Sequence, residues 1–221
     1  NQVPDHHGSI LLNGAKVTNG TVSGVAGGTV QAEAVPKPGY QFAGWEVSQQ
    51  KFVAFTPIAA GASWKYFDGG QLPAADWFTT SFDDTSWNSG AAELGYGDGD
   101  EKTVVNFGPD ANNKFPTTYF RYSFDVSDTT GFIDLTANLR YDDGAAVYLN
   151  GTEVFRENLP AGTLDYSTYA LTTVSDETAW HSFNIPKGLL VPGNNTIAIE
   201  IHQVNGSSSD ISMDFSLQGG S

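Results

Sequence analysis

Apolar and polar residues alternate with a period of two along several segments that follow residue 60. In residues 118–126 every second residue is apolar or aromatic, from Phe120 to Val126, and most intervening residues are polar. The dipeptide Asn150-Gly151 separates two further runs and is typical of a tight β-hairpin. The same alternation extends over residues 133–142, 196–202 and 211–217. No helical period lies between these runs, so two β-sheets packed face to face are expected.

Residues 1–50 carry shorter strand signals that are separated by glycine-rich turns. A hairpin signal, Asn-Gly, stands at residues 13–14 between two short runs that favour strands. Near the end of the segment, Tyr40, Phe42 and Trp45 provide large apolar side chains. We expect these three residues to anchor a very small core, which would be marginally stable alone.

The chain therefore divides into two predicted domains. A small β-rich unit occupies residues 1–50, a linker occupies residues 51–60, and a larger domain covers residues 61–221. The larger segment has a normal size for a single β-sandwich.

Amino-acid composition excludes some classes of binding partner for this chain. The chain has 25 acidic and 10 basic residues, a net charge of −15 and a pI of about 4.3. Such a polyanion repels nucleic-acid phosphates and anionic lipids, so neither partner is expected, and the absence of a long apolar run predicts no membrane insertion. There is no cysteine, which excludes disulfides and thiolate chemistry. Abundant carboxylates suit calcium, which prefers oxygen ligands.

Catalytic motifs are missing from the sequence. It contains no Gly-x-Ser-x-Gly elbow, no His-Glu-x-x-His motif and no phosphate-binding Walker loop. Adjacent carboxylates such as Asp142-Asp143 occur, but in so acidic a chain they mostly mark turns. The chain is therefore expected not to be an enzyme, and a hydrolase that acts through paired carboxylates is the least favoured reading.

Two segments of the larger domain carry a family resemblance. Residues 142–154, Asp-Asp-Gly-Ala-Ala-Val-Tyr-Leu-Asn-Gly-Thr-Glu-Val, resemble the strand and hairpin of galactose-binding-like jelly rolls. A close variant occurs in the sugar-binding domain of family 2 glycoside hydrolases. Residues 186–201 of this chain resemble a later loop and strand of that same domain. The arrangement is also similar to accessory modules of secreted bacterial proteins, including CotH-type proteins. The resemblance implies an all-β jelly-roll sandwich, preceded here by the small β-unit.

The end of the first unit resembles a different family. Residues 39–45, Gly-Tyr-Gln-Phe-Ala-Gly-Trp, resemble the end of a bacterial surface repeat of the internalin B-repeat type. This resemblance implies an extracellular spacer or adhesion unit. Together the two resemblances imply a secreted or cell-surface bacterial protein in which this chain is covalently linked to neighbouring domains.

Calcium has two candidate positions. The glycine-containing loop that follows Tyr96 brings Asp98, Asp100 and Glu101 close together, although the pattern is not that of an EF-hand. The alternative for this loop is an acidic, solvated turn. In related jelly rolls the last strand often carries a structural calcium ligand, which implies Asp214 here, with Asp68 completing the site. The alternative for Asp214 is an exposed strand residue.

A sugar site needs an aromatic face for stacking and polar side chains around it. Each candidate has an alternative: Trp87 would pack in the core, and Arg121 would form a buried ion pair with Glu200 or Asp214. His202 would be a hydrogen-bonded part of the scaffold. The candidates from the polar phase of the strands and from loops are Trp77, Trp87, Tyr96, Arg121, Arg140, Asp142, Tyr148, His202 and Asn205.

The function expected from the sequence and its resemblances is non-catalytic carbohydrate binding by an accessory module, with a polysaccharide or glycan as ligand. The alternative is a structural spacer, or a protein-interaction or adhesion module, without a sugar ligand. Calcium is the one expected cofactor, in a structural role.

Overall fold

The computed structural model describes residues 8–17, 31–43, 54–129 and 134–220, and the chain divides into two compact units, Asn1–Gln50 and Lys51–Ser221. In these ranges, no helix has both the length and the apolar character to cross a membrane.

The first unit contains one small antiparallel sheet in its described part. Its strands are β1 (Gly8–Leu12), β2 (Ala15–Val17) and β3 (Ala32–Pro36), in the order β2-β1-β3. The predicted hairpin is present, since Asn13 and Gly14 adopt positive φ angles of 49° and 81° between β1 and β2. Tyr40 and Phe42 are 50% and 46% exposed, which contradicts their predicted role as core anchors, and Trp45 lies outside the described residues.

The second unit is a sandwich of two six-stranded sheets. The first sheet has the order β13-β10-β15-β7-β8, with β4 also paired to β15, and the second has the order β12-β11-β14-β9-β5-β6. All described pairs are antiparallel except β7 with β8, which is parallel. The strands are β4 (Ala54–Ile58), β5 (Ser63–Phe67), β6 (Asn88–Ala91), β7 (Leu94–Tyr96), β8 (Thr103–Val104), β9 (Thr117–Val126), β10 (Asp134–Asp142), β11 (Gly144–Leu149), β12 (Thr152–Glu157), β13 (His181–Asn184), β14 (Gly193–His202) and β15 (Ile211–Gly220), with a 3-10 turn at Lys187–Leu189.

The core lies between the sheets, as the alternation predicts. In β9, Phe120, Phe124 and Val126 are buried in one hydrophobic cluster, and Tyr122 packs against it. Trp64 of β5 is fully buried in the same cluster, with its ring centroid 5.2 Å from that of Tyr122. The predicted all-β sandwich with a small N-terminal β-unit is therefore confirmed.

The predicted linker is wrong for residues 54–58, because they form β4. Ile58 pairs with Leu217 and Phe55 with Gly219, so this segment is part of the first sheet. Ile58 is fully buried, and its burial gives the segment a packing role that a solvated linker lacks. Residues 51–53 lie outside the described part.

A second apolar layer covers the outer face of the second sheet, which is the face turned away from the first sheet. Trp77 and Trp87, on the connection between β5 and β6, pack with Tyr119 and Ala198 of the sheet. Because this connection lies over the sheet, Tyr119 and Arg121 on the polar phase of β9 are buried, whereas Ser123 and Asp125 further along the strand are exposed.

Candidate functional site

A pocket of about 370 Å³ opens on the outer face of the second sheet. Tyr148 of β11 and Glu200 of β14 project from this face, because their strand neighbours Val147 and Ile199 project into the core. The β5–β6 connection and the segment after β12 complete the walls. We call this cavity the outer pocket, and its lining includes Trp77, Phe78, Tyr148, Arg156, Leu164 and Glu200.

Three aromatic rings form one side of the outer pocket. The rings of Phe78 and Tyr148 lie 5.0 Å apart with an angle of 30° between their planes. Trp77 meets Tyr148 edge to face at 5.8 Å and Tyr119 at 4.8 Å, and it is only 3% exposed. The structure thus brings two sequence candidates, Trp77 and Tyr148, to one pocket, but Trp77 is buried, so its predicted sugar contact is wrong. Phe78 and Tyr148 are the more open rings.

The polar side of the outer pocket carries a surplus of acid. The Arg156 guanidinium donates to both carboxylate oxygens of Glu153, at 2.9 and 2.6 Å, and to the carbonyls of Pro160 and Gly162 at 2.6 and 2.9 Å. Its bonds to Glu153 raise the pKa of Arg156 above the ordinary value. Arg156 is thus engaged by Glu153 and two carbonyls, and the lining holds a second acid, Glu200, which is 3% exposed.

Glu200 joins the pocket to a buried histidine. The Tyr148 hydroxyl donates to Glu200 Oε1 at 2.6 Å, and burial, together with the charge of Glu200, raises the pKa of Tyr148. The other oxygen, Oε2, lies 3.1 Å from Nε2 of His202. His202 Nδ1 lies 2.7 Å from the Thr168 carbonyl, which can only accept, so Nδ1 donates there. His202 is fully buried and belongs to the scaffold, so its predicted sugar contact is wrong.

Two other sugar candidates hold the β5–β6 connection on the sheet. Trp87 is buried against Phe67 and Phe82, so it cannot offer a ring face to a sugar. Arg121 is 1% exposed, and its Nε donates to Asp84 at 2.8 Å. Arg121 therefore forms a buried ion pair, but its partner is Asp84 and not Glu200 or Asp214, and its predicted sugar contact is wrong.

The remaining candidates near strand ends are also occupied by the fold. Tyr96 is buried, and its hydroxyl accepts a hydrogen bond from the Gln203 side chain. Asp142 is buried as well, so neither residue is accessible to a glycan, contrary to the prediction. Asn205 is exposed, but its side-chain oxygen accepts from the backbone N–H and the hydroxyl of Ser207, at 2.8 and 2.7 Å, and so stabilises a turn.

A second site is formed by acidic side chains at one end of the sandwich. Asp98 and Asp100 lie between β7 and β8, Glu177 lies between β12 and β13, and Asp210 directly precedes β15. Asp98 belongs to two groups of three residues whose carboxylate oxygens all lie within 4.8 Å of one another. One group is Glu93, Asp98 and Asp100, and the other is Asp98, Glu177 and Asp210. We call these five residues the acidic cluster.

Arg140 lines the acidic cluster and does not line the outer pocket, so its predicted sugar contact is wrong for that pocket. It lines a cavity of about 300 Å³ together with Asp98, Asp100 and Glu177. Its guanidinium forms an ion pair with Glu93 and donates to the Glu177 carbonyl at 3.3 Å. One cation thus faces several carboxylates.

Burial and mutual repulsion raise the pKa values of several of these acids. The pKa of Asp98 is raised to about 6, first by burial and then by the charge of Asp210. Burial and the charge of Asp210 also raise the pKa of Glu177. Asp142 lies nearby, and burial and its neighbour Asp143 raise its pKa as well. Within the described residues, the basic groups at this end of the domain do not balance the acidic ones. A bound cation would reduce the repulsion between these carboxylates.

The other predicted calcium ligands are used by the backbone. Glu101 accepts from the N–H groups of Asp98 and Gly99, at 2.9 and 3.0 Å, and thereby shapes the loop. Asp68 accepts from the Asn106 N–H at 2.7 Å. Asp214 accepts from the N–H groups of Gly61 and Phe215, at 3.0 and 2.7 Å. Within the described ranges, the structure does not bring Asp68 and Asp214 into one group of metal ligands, contrary to the prediction.

Sequence reasoning missed Glu177 and Asp210. Asp210 comes close to the loop through a long-range strand register, because Ile211 pairs with Tyr96 and this places Asp210 beside Gly97. Glu177 stands in a long connection without periodicity, so its approach to Asp98 could not be read from the sequence.

A comparison with protein-family models supports the resemblance of the first unit to a bacterial surface repeat. The family model of the divergent InlB B-repeat domain matches residues 10–59, so the match runs from the first unit through β4. No curated protein matches this chain.

Solved structures of beta-glucuronidases are similar to part of this chain at low identity. Bacteroides uniformis beta-glucuronidase is 18% identical over 76% of this chain, with a TM-score of 0.47. A family 2 glycoside hydrolase beta-glucuronidase is 12% identical over 79%, with a TM-score of 0.46. An uncultured Clostridium sp. beta-glucuronidase is 11% identical over 79%, with a TM-score of 0.43. This chain spans 18%, 18% and 30% of their respective lengths.

Proposed function

We propose that this chain is a non-catalytic carbohydrate-binding module of a secreted bacterial multidomain protein, and that its glycan binds in the outer pocket. The observation that carries the proposal is the meeting of two half-buried aromatic rings, Phe78 and Tyr148, with the exposed carboxylate of Glu153 in one open cavity. An aromatic face packs against the C–H groups of a pyranose ring, and the carboxylates accept bonds from its hydroxyls.

The charge of the outer pocket favours a neutral glycan segment. Glu153 engages Arg156 through both of its oxygens, and Glu200 remains as a second acid in the lining. A uronic acid would bring a third carboxylate to this cavity and would be repelled. Binding in such a shallow and hydrated pocket is expected to be weak at a single site.

The proposal includes structural calcium and neighbouring domains in the parent protein. Calcium suits the acidic cluster because this ion prefers carboxylate oxygens and tolerates irregular geometry. The raised pKa values of Asp98 and Glu177 would also suit a hydrolase, but their causes are burial and neighbouring carboxylates, and a bound cation would cancel the latter.

The second candidate function is a structural spacer or a protein-interaction module without a sugar ligand. The burial of Trp87 and Tyr96, two of the aromatic residues that a sugar site would use, favours this alternative. The two candidates differ in one respect: only the binding module needs an open pocket wall at Phe78 and Tyr148.

The test is a glycan array and a pull-down with insoluble polysaccharides, run on the whole chain. We expect wild type to bind one class of neutral polysaccharide and Phe78→Ala to lose most of that binding. Trp180→Ala is the matched control, because Trp180 is a 44% exposed aromatic residue outside the outer pocket. Loss of binding in Trp180→Ala with Phe78→Ala unaffected would refute the pocket. Failure of wild type to bind plant, algal and microbial glycans would favour the spacer.

A further inference from the structure

We propose that one calcium ion is held by Asp98, Glu177 and Asp210, close to the buried carboxyl group of Asp142, and that it ties three separate segments of the domain together. This inference rests on the calcium cofactor of the proposed function and gives it a location. That location differs from the Asp98–Glu101 loop that the sequence indicates, since two of its ligands come from other parts of the chain.

The spacing of the three carboxylates fits a single ion. Their ligand oxygens all lie within 4.8 Å of one another. Calcium–oxygen bonds are about 2.3–2.6 Å long, so two oxygens on opposite sides of one ion are separated by about 5 Å or less. Asp210 is buried, Glu177 is half-buried and Asp98 is exposed, so the site is open to solvent on one side, where water can complete the coordination.

Asp142 provides an independent indication of a ligand. Its side chain is 2% exposed, and its Oδ1 is buried without a hydrogen-bond partner. The same carboxyl group faces the charges of Asp143, Asp210 and Glu177. A buried oxygen without a hydrogen-bond partner is costly, and a cation among Asp98, Glu177 and Asp210 would offset that cost electrostatically.

The overlapping group with Glu93 and Asp100 is less suited to a cation. Glu93 Oε1 accepts from the Ser212 hydroxyl at 2.5 Å, and Glu93 Oε2 forms the ion pair with Arg140. Both oxygens are therefore engaged, and the Arg140 guanidinium would repel a divalent ion placed beside Glu93.

Local backbone structure holds the three ligands in place. Gly97 has a φ of +114°, and a Cβ atom added there would lie 2.5 Å from the Cβ of Asp210, so only glycine allows this close approach. Glu101 fixes the next turn by accepting from the N–H groups of Asp98 and Gly99. Arg140 holds the third segment through the Glu177 carbonyl.

The test compares variants of the whole chain by calcium titration calorimetry and by thermal unfolding with calcium and with chelator. Glu177→Gln should lower calcium affinity by at least about tenfold, because it removes one of the anionic ligands. Its melting temperature in chelator should equal or exceed that of wild type, because a repelling charge is gone. Asp100→Asn is the matched control from the neighbouring loop and should keep the wild-type calcium response.

Two results would overturn the location of the ion. Full calcium affinity in Glu177→Gln, with loss in Asp100→Asn, would move the ion to the Glu93 side of the cluster. Absence of any calcium response in wild type would overturn both the location and the cofactor. Glycan binding is measured separately with Phe78→Ala, so a failure of the sugar site is distinguishable from a failure of the metal site.

Discussion

Replacement of Arg121 by methionine should strongly destabilise the larger domain. Arg121 is 1% exposed and donates to Asp84 at 2.8 Å, to the Thr79 carbonyl at 3.0 Å and to the Phe82 carbonyl at 3.4 Å, with a further bond to the Trp77 carbonyl. Methionine fills much of the same volume but donates no hydrogen bond, so Asp84 and the carbonyls lose their partner.

The magnitude follows from the number of acceptors left unpaired. Breaking a buried ion pair costs about 3–5 kcal/mol, and an unsatisfied buried acceptor costs about 1–3 kcal/mol. Because Asp84 is 22% exposed and water can reach it, we expect about 3–5 kcal/mol in total for Arg121→Met. For a domain of this size, that corresponds to a decrease in Tm of about 6–20 °C.

The assay is urea unfolding followed by tryptophan fluorescence, with Lys65→Met as the control. Lys65 lies opposite Arg121 in the β5–β9 register, and among the described residues its amine donates one long bond, at 3.4 Å to the Trp87 carbonyl. The control should therefore change the free energy of unfolding by less than about 1 kcal/mol. An equally small change in Arg121→Met would refute the inference that Arg121 holds the β5–β6 connection on the sheet.

Three further predictions test the packing and the electrostatics. Trp87→Ala should cost about 3–5 kcal/mol in urea unfolding, and a cost below about 1 kcal/mol would contradict its burial. Gly97→Ala should lower both Tm and calcium affinity, whereas Gly99→Ala, which meets no atom within 4 Å, should affect calcium affinity less; equal effects would argue against the contact with Asp210. Burial raises the pKa of Asp214 in the folded protein above the ordinary carboxyl pKa of the unfolded chain. Asp214 therefore contributes its full stability below the ordinary pKa, and this contribution is lost as the pH rises through the raised pKa. Wild type should therefore lose stability relative to Asp214→Asn over that pH range, and parallel pH profiles would contradict this.

The strands of the larger domain were predictable because one of their faces is apolar. The alternation from Phe120 to Val126 identified both the strand and its core-facing side. The burial of Arg121 was not predictable from alternation, because a pattern of period two reports only that a face is polar, not that another segment covers it. β4 was missed because residues 54–58 contain a proline and no polar alternation, and their pairing with β15 is distant in sequence.

The two candidate sites were predictable only in part, for the same physical reason. Asp98 was identified because its neighbours in the loop are acidic, which is a local signal. Glu177 and Asp210 reach it through long-range contacts that leave no local pattern. In the outer pocket, Tyr148 was identified from its strand phase, whereas Phe78 belongs to the covering connection and had no periodic signal.

The most direct test of glycan binding in the outer pocket is a two-dimensional NMR titration of the whole chain with an oligosaccharide from the polysaccharide it retains. We expect the largest amide shifts at Phe78, Tyr148 and residues 162–164, which line the pocket. The amides of the acidic cluster should remain unchanged when calcium is held at saturation. Shifts confined to another surface, or no shifts at millimolar ligand, would contradict the proposed site.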